Sequence, residues 1–139
     1  MTDLPLTAGY KIGSPGGEPI STIGQSFDIS VWNGGGPGYL HVHYADDEAW
    51  HVLEGTLTFR FSDREVEASA GTTVFVPAGV AHDYYEAHGP TRYLIILTPN
   101  LRRLIAALHS APLEQHQAIL RDYNSEIAES TTQVKHPGE

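Results

Sequence analysis

Apolar and polar residues alternate along the middle of the chain, between residues 27 and 98. Side chains two positions apart on a strand share a face, so this alternation is typical of half-buried strands. Gly, Pro, Ser and Asp residues interrupt it at short intervals, as turns do. The pattern predicts eight short strands, at residues 27–32, 39–44, 49–55, 56–61, 65–70, 72–77, 82–87 and 92–97. Because no helical crossover separates them, we expect an all-β barrel or jelly roll and exclude a parallel α/β sheet.

The pattern changes on both sides of these strands. Before them the chain is rich in Gly, Pro, Ser and Thr, which predicts an extended arm with room for one short strand. After Pro99, apolar residues follow helical spacing, with Asn100 as the expected helix cap, and a second helix is expected after Pro112. We therefore predict four parts: an N-terminal arm (1–26), the barrel (27–98), two short helices packed on the barrel (99–129) and a flexible tail (130–139).

Composition narrows the classes of function. The chain has 139 residues, which fits one domain, and it has no cysteine, which excludes disulfides, thiolate metal sites and a cysteine nucleophile. The net charge of −9 disfavours binding to nucleic acid and to anionic membranes. The first residues lack the features of a signal peptide, and no apolar stretch has transmembrane length. A cytoplasmic protein with a small-molecule substrate is the expectation.

The segment HVHYADDE, at residues 41–48, contains the residues with the clearest chemistry. His41 and His43 are two positions apart and would point to one face of a strand. Glu48 opens the next predicted strand, and His82 opens a later one behind a Pro-Ala-Gly turn. An isolated His-x-His pair such as His41 and His43 usually lies on a solvated strand face and binds nothing. Three imidazoles with one carboxylate suit Fe(II), Mn(II), Co(II), Ni(II), Cu(II) or Zn(II), and on an octahedral ion they leave two positions open.

Fixed spacings relate nine residues in two segments, Gly35-x5-His41-x-His43-x4-Glu48-x6-Gly55 and Gly71-x5-Pro77-x-Gly79-x2-His82. This two-part arrangement resembles the signature of the cupin superfamily. The resemblance implies a double-stranded β-helix, a metal ion in most enzymatic members, and usually a homodimer. Asp46 and Asp47 stand in the turn before Glu48 and are alternative carboxylates, but the cupin spacing selects Glu48. The expected cofactor is one divalent metal ion per chain, held by His41, His43, Glu48 and His82.

The alternation also indicates which residues could form the wall of a substrate pocket beside the metal ion. Tyr39 shares a face with His41, Trp50 and Val52 share one with Glu48, and Tyr84 shares one with His82. Each has a plain interpretation as core packing, which is favoured for Val52. Glu86 stands where the cupin pattern usually has Asn. It is either a second carboxylate that moves protons in the pocket or, the interpretation we favour, a solvated residue at the rim. The other histidines are interpreted as surface or packing residues: His51, His88, His109, His116 and His136.

Within the superfamily, residues 47–61, 74–82 and 118–130 resemble small single-domain cupins related to quercetin dioxygenases. This likeness suggests a dioxygenase-type oxidoreductase acting on a small aromatic or enolic substrate, with Glu48 also able to take a substrate proton. One alternative is a non-redox isomerase, epimerase, cyclase or lyase, with Glu86 or Tyr84 moving the proton. The other is a metal- or ligand-binding module without turnover, which predicts a site with no room for a substrate.

Overall fold

The structure is a computed structural model that describes residues 10–129. Nine strands and two α-helices follow one another along the chain: β1 (Asp28–Trp32), β2 (His41–His43), β3 (Glu48–Glu54), β4 (Thr56–Phe61), β5 (Glu65–Ser69), β6 (Thr73–Val76), β7 (His82–Tyr85), β8 (Arg92–Leu97), α1 (Pro99–His109), α2 (His116–Asp122) and β9 (Ser125–Ile127). A single 3₁₀ turn, Leu113–Gln115, leads into α2.

The strands form two antiparallel sheets. One sheet has four strands in the order β1-β8-β3-β6, and the other has five in the order β5-β4-β7-β2-β9. Buried side chains of both sheets form the core together with α1 and α2, with Trp50, Val52, Tyr93 and Ile95 from the first sheet and Phe59 from the second. The predicted all-β jelly-roll architecture with two short helices is therefore confirmed.

The register of β3 and β8 shows how alternation produces this core. Trp50 pairs with Ile95 and Val52 with Tyr93, and all four side chains are buried. The residues between them in each strand point to the outer face of the sheet. The turn from β3 to β4 needs Gly55, whose φ is +78°, and a Cβ at this position would lie 2.6 Å from the carbonyl oxygen of Pro90. No other residue fits this turn without displacing the backbone beside it.

The first helix begins two residues earlier than the sequence indicated. Thr98 is its N-cap, because the Thr98 hydroxyl oxygen accepts a hydrogen bond from the backbone N–H of Leu101 at 3.1 Å. The expected cap, Asn100, lies inside the helix, and Pro99 occupies its first turn. Helix α1 buries Leu101, Leu104 and Leu108, as helical spacing predicted. In the second helical region Leu120 is fully buried, whereas Leu113 remains 47% exposed.

The last described element differs from the prediction of helices over 99–129. Residues Ser125–Ile127 form the strand β9, which pairs with β2 through the partners His41↔Ile127 and His43↔Ser125. Asn124 adopts a φ of 56°, a left-handed conformation that reverses the chain between α2 and β9. A three-residue strand is too short for periodicity to reveal. The strand matters because its partner, β2, contains two of the candidate metal ligands.

The segment before β1 has little regular structure. Over residues 10–27 it contains one isolated bridge, between Ser21 and Ser30 of β1. Residues 1–9 of the predicted arm and the predicted tail, 130–139, lie outside the described residues. Neither α1 nor α2 has the length and apolar character needed to cross a membrane, and this holds for every helix between residues 10 and 129.

Candidate metal centre

Three strands bring the candidate ligands together. His41 and His43 lie on β2, and His41 is the register partner of His82, the first residue of β7, within the five-stranded sheet. Glu48 is the first residue of β3 in the other sheet, so it approaches the histidines from across the barrel. All four side chains are buried. The site is therefore assembled at the strand ends of two facing sheets.

The distances within this cluster are those of a site that one ion can occupy. Ligand nitrogens of His41, His43 and His82 all lie within 4.8 Å of one another. The Glu48 Oε1 atom lies 3.1 Å from His82 Nε2 and 3.4 Å from His43 Nε2. Three ring nitrogens thus cluster together, and the Glu48 carboxylate lies beside two of the three imidazoles. Nitrogen and oxygen donors of this kind suit a first-row divalent metal ion.

The outer nitrogen of each imidazole is also occupied. His41 Nδ1 donates to the Tyr39 carbonyl oxygen at 3.1 Å, and His82 Nδ1 donates to the Val80 carbonyl oxygen at 2.9 Å. Because a carbonyl oxygen can only accept, Nδ1 holds a proton in both rings, which leaves Nε2 as the nitrogen that would bind a metal. His43 Nδ1 lies 2.7 Å from the hydroxyl oxygen of Ser125 on β9. This arrangement of outer hydrogen bonds fits a metal site.

Burial and charge act in opposite directions on these groups. Burial lowers the pKa of His41 well below its usual value, and the neighbouring His82 and His43 add to that effect. Burial alone would raise the pKa of Glu48, but hydrogen bonds from His43 and His82 lower it to about 2. Burial would lower the pKa of His82, whereas the hydrogen bond and charge of Glu48 raise it. The carboxylate is therefore ionised, and protons compete with a cation for the imidazoles.

A cavity of about 130 Å³ opens over the cluster. His41, His43 and Glu48 form its polar end. The rest of the wall is mainly apolar and comes from β1, the loop after it, β7 and α1: Trp32, Gly35, Gly36, Pro37, Tyr84, Leu104, Ile105 and Leu108. Gly36 lies against β7, where its N–H donates to the Tyr84 carbonyl oxygen at 2.8 Å. A side chain there would meet Asp83 and the ring of Tyr84, so glycine lets this loop form one side of the cavity.

Two histidines that the sequence analysis assigned to surface or packing also border the cavity. His109 ends α1 and packs on Trp32 with ring centroids 6.0 Å apart. His116 begins α2, and its Nδ1 lies 2.7 Å from the Tyr39 hydroxyl. No sequence spacing relates these histidines to the metal-binding motif. Only the packing of the helices on the barrel brings them to the cavity.

The predicted wall residues separate into two groups. Tyr84 lines the cavity, and its hydroxyl lies 3.0 Å from that of Tyr93. Tyr39, Trp50 and Val52 are fully buried and lie in the core instead of the cavity wall. Trp50 packs edge-on against His82, with ring centroids 5.7 Å apart, so it supports a candidate ligand from behind. Alternation correctly turned these side chains inward but could not separate core from cavity.

The remaining carboxylates have other partners. Glu86 does not border the cavity, since its Oε2 accepts hydrogen bonds from the N–H of Gly34 and from the N–H and hydroxyl of Thr91. These contacts lower the pKa of Glu86, the Thr91 hydroxyl most strongly. Asp46 accepts from Thr98 and Asn100 at the start of α1, and Asp47 accepts from the N–H of Ala78. Glu48 is thus the carboxylate that faces the histidines.

Comparison with known proteins identifies the family. The cupin domain profile matches residues 28–97, which is half of the chain, so the protein belongs to the cupin family. An uncharacterized protein of Streptomyces coelicolor is 30% identical over 56 residues. That match covers 40% of this chain and 53% of the relative, so the chain spans about half the length of the curated relative it matches.

Solved structures show the same fold. A cupin-2 domain containing protein of Shewanella frigidimarina is 27% identical, with a TM-score of 0.51 over 58% of this chain and 79% of that chain. A double-stranded β-helix protein of Klebsiella pneumoniae has a TM-score of 0.52 at 18% identity, covering 71% and 92% of the two chains. The chain is therefore a cupin by its domain profile, and its own geometry gives it a candidate three-histidine metal site.

Proposed function

We propose that this cupin is a mononuclear metal-dependent enzyme of the dioxygenase type, which adds both atoms of dioxygen to a small organic substrate. The observation that supports the proposal is the convergence of three imidazoles and one carboxylate at the polar end of a cavity with an apolar wall. His41, His43, Glu48 and His82 would hold one divalent ion per chain. Fe, Mn, Ni, Co, Cu and Zn all suit this donor set.

The bound ion would supply Lewis acidity, open coordination positions and, if redox-active, the electrons that reaction with dioxygen requires. The protein supplies orientation and proton handling. Glu48 is ionised, because hydrogen bonds from His43 and His82 lower its pKa to about 2. Since that low pKa makes it a weak base, it would take a proton only from an acidic substrate hydroxyl or enol that binds beside it. Burial raises the pKa of Tyr84 well above its usual value, so its hydroxyl stays protonated.

The size of the cavity limits the substrate. An apolar protein cavity of about 150 Å³ holds one benzene molecule, and this cavity measures about 130 Å³. Trp32 and Tyr84 offer flat surfaces and Leu104 and Leu108 offer aliphatic ones. These features favour a substrate with one ring or an equivalent apolar body and an oxygen atom that reaches the ion. A three-ring flavonol would have to extend out of this space, which is open on one side.

Two alternatives have less support. A non-redox isomerase, epimerase, cyclase or lyase would gain support from a second carboxylate in the cavity, but Glu86 is engaged by Gly34 and Thr91. The elevated pKa of Tyr84 also makes it a weak proton donor for such a reaction. A binding module without turnover predicts a site with no room for a substrate, whereas the cavity has space for a small one.

Oxygen uptake by reconstituted protein tests the proposal. Protein loaded separately with Fe(II), Mn(II), Ni(II) or Zn(II) would be offered enols, catechols and flavonols. We expect uptake with a redox-active metal and a one-ring enol or catechol, none with Zn(II), and none with flavonols. His41→Ala should abolish it, and the matched control His51→Ala, which faces away from the site, should not. Absence of uptake with every pair, despite bound metal, would contradict the dioxygenase proposal and direct attention to substrate isomerisation followed by NMR.

We also propose that the protein forms a homodimer through the outer face of its four-stranded sheet. Ile96 lies beside Ala49, and Ala49 lies beside Phe75, across three neighbouring strands. Phe75 is 62% exposed and Leu53 is 37% exposed, so an apolar surface faces outward. Light scattering of the wild type and of Phe75→Asp should show a dimer and a monomer, respectively. A monomeric wild type would contradict the proposal.

A further inference from the structure

The strand β9 brings a serine to the back of one candidate ligand. Ser125 is 2% exposed and is the register partner of His43. Its hydroxyl oxygen lies 2.7 Å from His43 Nδ1, although the two residues are 82 positions apart in the chain. Helical structure was expected here from the sequence, and Ser125 had no predicted role. The contact therefore comes entirely from the pairing of β9 with β2.

The contact can hold the imidazole in the tautomer that binds a metal through Nε2. A serine hydroxyl has one proton, and Ser125 has the carbonyl oxygen of Tyr123 as an acceptor for it at 3.2 Å. With its proton donated there, the Ser125 oxygen accepts the proton of His43 Nδ1 at 2.7 Å. His43 Nε2, the nitrogen that faces Glu48, is then the nitrogen that a metal replacing its proton would bind. Ser125 thus supports the tautomer that a metal needs.

The carbonyl of Tyr123 is itself held in place. The Asn100 amide nitrogen donates one proton to it at 3.0 Å and the other to Asp46 Oδ2 at 2.8 Å. The Thr98 hydroxyl donates to the second oxygen of Asp46, also at 2.8 Å. The chain of hydrogen bonds therefore runs from the loop between β2 and β3, through the start of α1, to Ser125 and His43. Both ends of that loop adjoin candidate ligands, His43 and Glu48.

His43 differs in this respect from the other two histidines. The acceptors for His41 and His82 are carbonyl oxygens only two residues away, on their own strands or turns. The hydrogen bonds of His41 and His82 therefore need only the local strand or turn to form. The bond of His43 exists only when the C-terminal segment, 123–127, has docked beside β2. One ligand of three thus depends on a distant part of the chain.

We propose that Ser125 is a positioning residue that fixes the Nδ1–H tautomer and orientation of His43, so that the C-terminal strand completes the metal site. The inference rests on the proposed metal-binding function, but not on the reaction that the metal supports. It assigns to β9, together with Asn100, a role in metal affinity. Loss of an outer hydrogen bond of this kind typically lowers metal affinity by about 10- to 100-fold.

A matched pair of variants tests the role of the hydroxyl. Ser125→Thr and Ser125→Val add the same bulk, but only threonine keeps the hydroxyl, and Ser125→Ala removes it without adding bulk. Zn(II) affinity, measured by competition with a chromophoric chelator, should be near wild type for Ser125→Thr and about 10- to 100-fold weaker for Ser125→Val and Ser125→Ala. Thr58→Val is the control, because it removes a buried hydroxyl from the same sheet that has no hydrogen-bond partner among the described residues.

NMR of the zinc-loaded protein provides a readout that stability changes do not mimic. Long-range ¹H–¹⁵N spectra should show a slowly exchanging Nδ1 proton on His43 in the wild type and Ser125→Thr. That proton should exchange faster in Ser125→Val and Ser125→Ala. Equal zinc affinity and equal exchange across all variants would overturn the inference. A wild type that binds no zinc would instead overturn the metal site itself, and zinc binding without oxygen uptake would leave this test unaffected.

Discussion

Replacing Glu86 should separate a structural role from a catalytic one. Its Oε2 accepts three hydrogen bonds, at 3.1 Å from the N–H of Gly34 and at 2.8 and 2.6 Å from the N–H and hydroxyl of Thr91. These bonds connect the loop after β1 to the turn before β8. The loop after β1 also forms part of the cavity wall. We therefore expect Glu86 to stabilise the protein and to shape the cavity from outside it.

The magnitude follows from the number of donors left without an acceptor. A buried donor that loses its partner costs about 1–3 kcal/mol, and partial access of water favours the lower value. Glu86→Ala leaves three such donors, so it should destabilise the protein by about 3 kcal/mol. In a domain of this size that corresponds to a fall in Tm of about 10 °C. Glu86→Gln keeps an acceptor oxygen but loses the charge, and about 1 kcal/mol is expected.

The contribution of Glu86 to the stability of the fold depends on pH, and the direction of that dependence follows from its pKa. Because the pKa of Glu86 is lowered in the folded protein, its charge stabilises the fold fully above pH of about 4.5, the ordinary value for glutamate. That contribution is lost as the pH falls through the folded pKa. Chemical denaturation at pH 7 and at pH 3 should therefore show the wild type more stable than Glu86→Gln at pH 7, with a smaller difference at pH 3. Glu18→Gln, on an exposed carboxylate, is the control.

A catalytic role for Glu86 makes the opposite prediction. If Glu86 moved a proton in the cavity, Glu86→Gln would abolish turnover and leave unfolding unchanged at both pH values. That result would refute the structural interpretation and revive the isomerase alternative. If both stability and turnover were unchanged, the expected loss of stability would be refuted, but Glu86 would still have no catalytic role.

Three further predictions concern the metal and the core. An ion present at 100 times its Kd stabilises the fold by about 2.7 kcal/mol, so excess chelator should lower the Tm by about 10 °C; an unchanged melting curve would contradict tight binding. His41→Ala should reduce metal content, measured by mass spectrometry, while His51→Ala keeps it, and equal occupancy would exclude His41 as a ligand. Trp50→Ala should cost about 3–5 kcal/mol in chemical denaturation, because Trp50 is fully buried against Phe59, Tyr84 and His82; a cost below 1 kcal/mol would show that the core collapses around the gap.

Local sequence was enough to predict the elements that contain most of the site. Alternation predicted that the side chains of His41 and His43 point to the same face, because side chains two positions apart on a strand always do. The spacing of Gly55, Gly71 and Pro77 marked turns whose conformations few residues adopt. These signals involve residues close together in the chain. They were sufficient for the jelly-roll fold and for the set of residues that the structure brings to one point.

The residues that support the histidine cluster and surround its cavity are placed by contacts between distant parts of the chain. The sequence did not indicate that Glu86 would be tied to Gly34 and Thr91, or that Trp50 would lie in the core behind His82. It gave the cap of α1 to Asn100, whereas Thr98 is the cap and Asn100 bridges Asp46 to the Tyr123 carbonyl. A polar side chain takes whichever partner the packed chain places nearby, and nothing within its own segment specifies that partner.

The sequence by itself thus determined the strand pattern and the inward-facing histidines, and it predicted a site for a divalent metal ion without naming the metal. The tertiary structure alone decided the cavity wall, through the docking of α1, and the support of His43, through the pairing of β9 with β2. Strand β9 has only three residues, too few to show a period, and it is stable because β2 supplies its hydrogen bonds. Local patterns specify which way a side chain points, whereas the partner it meets there is fixed only when the two sheets and the helices have packed.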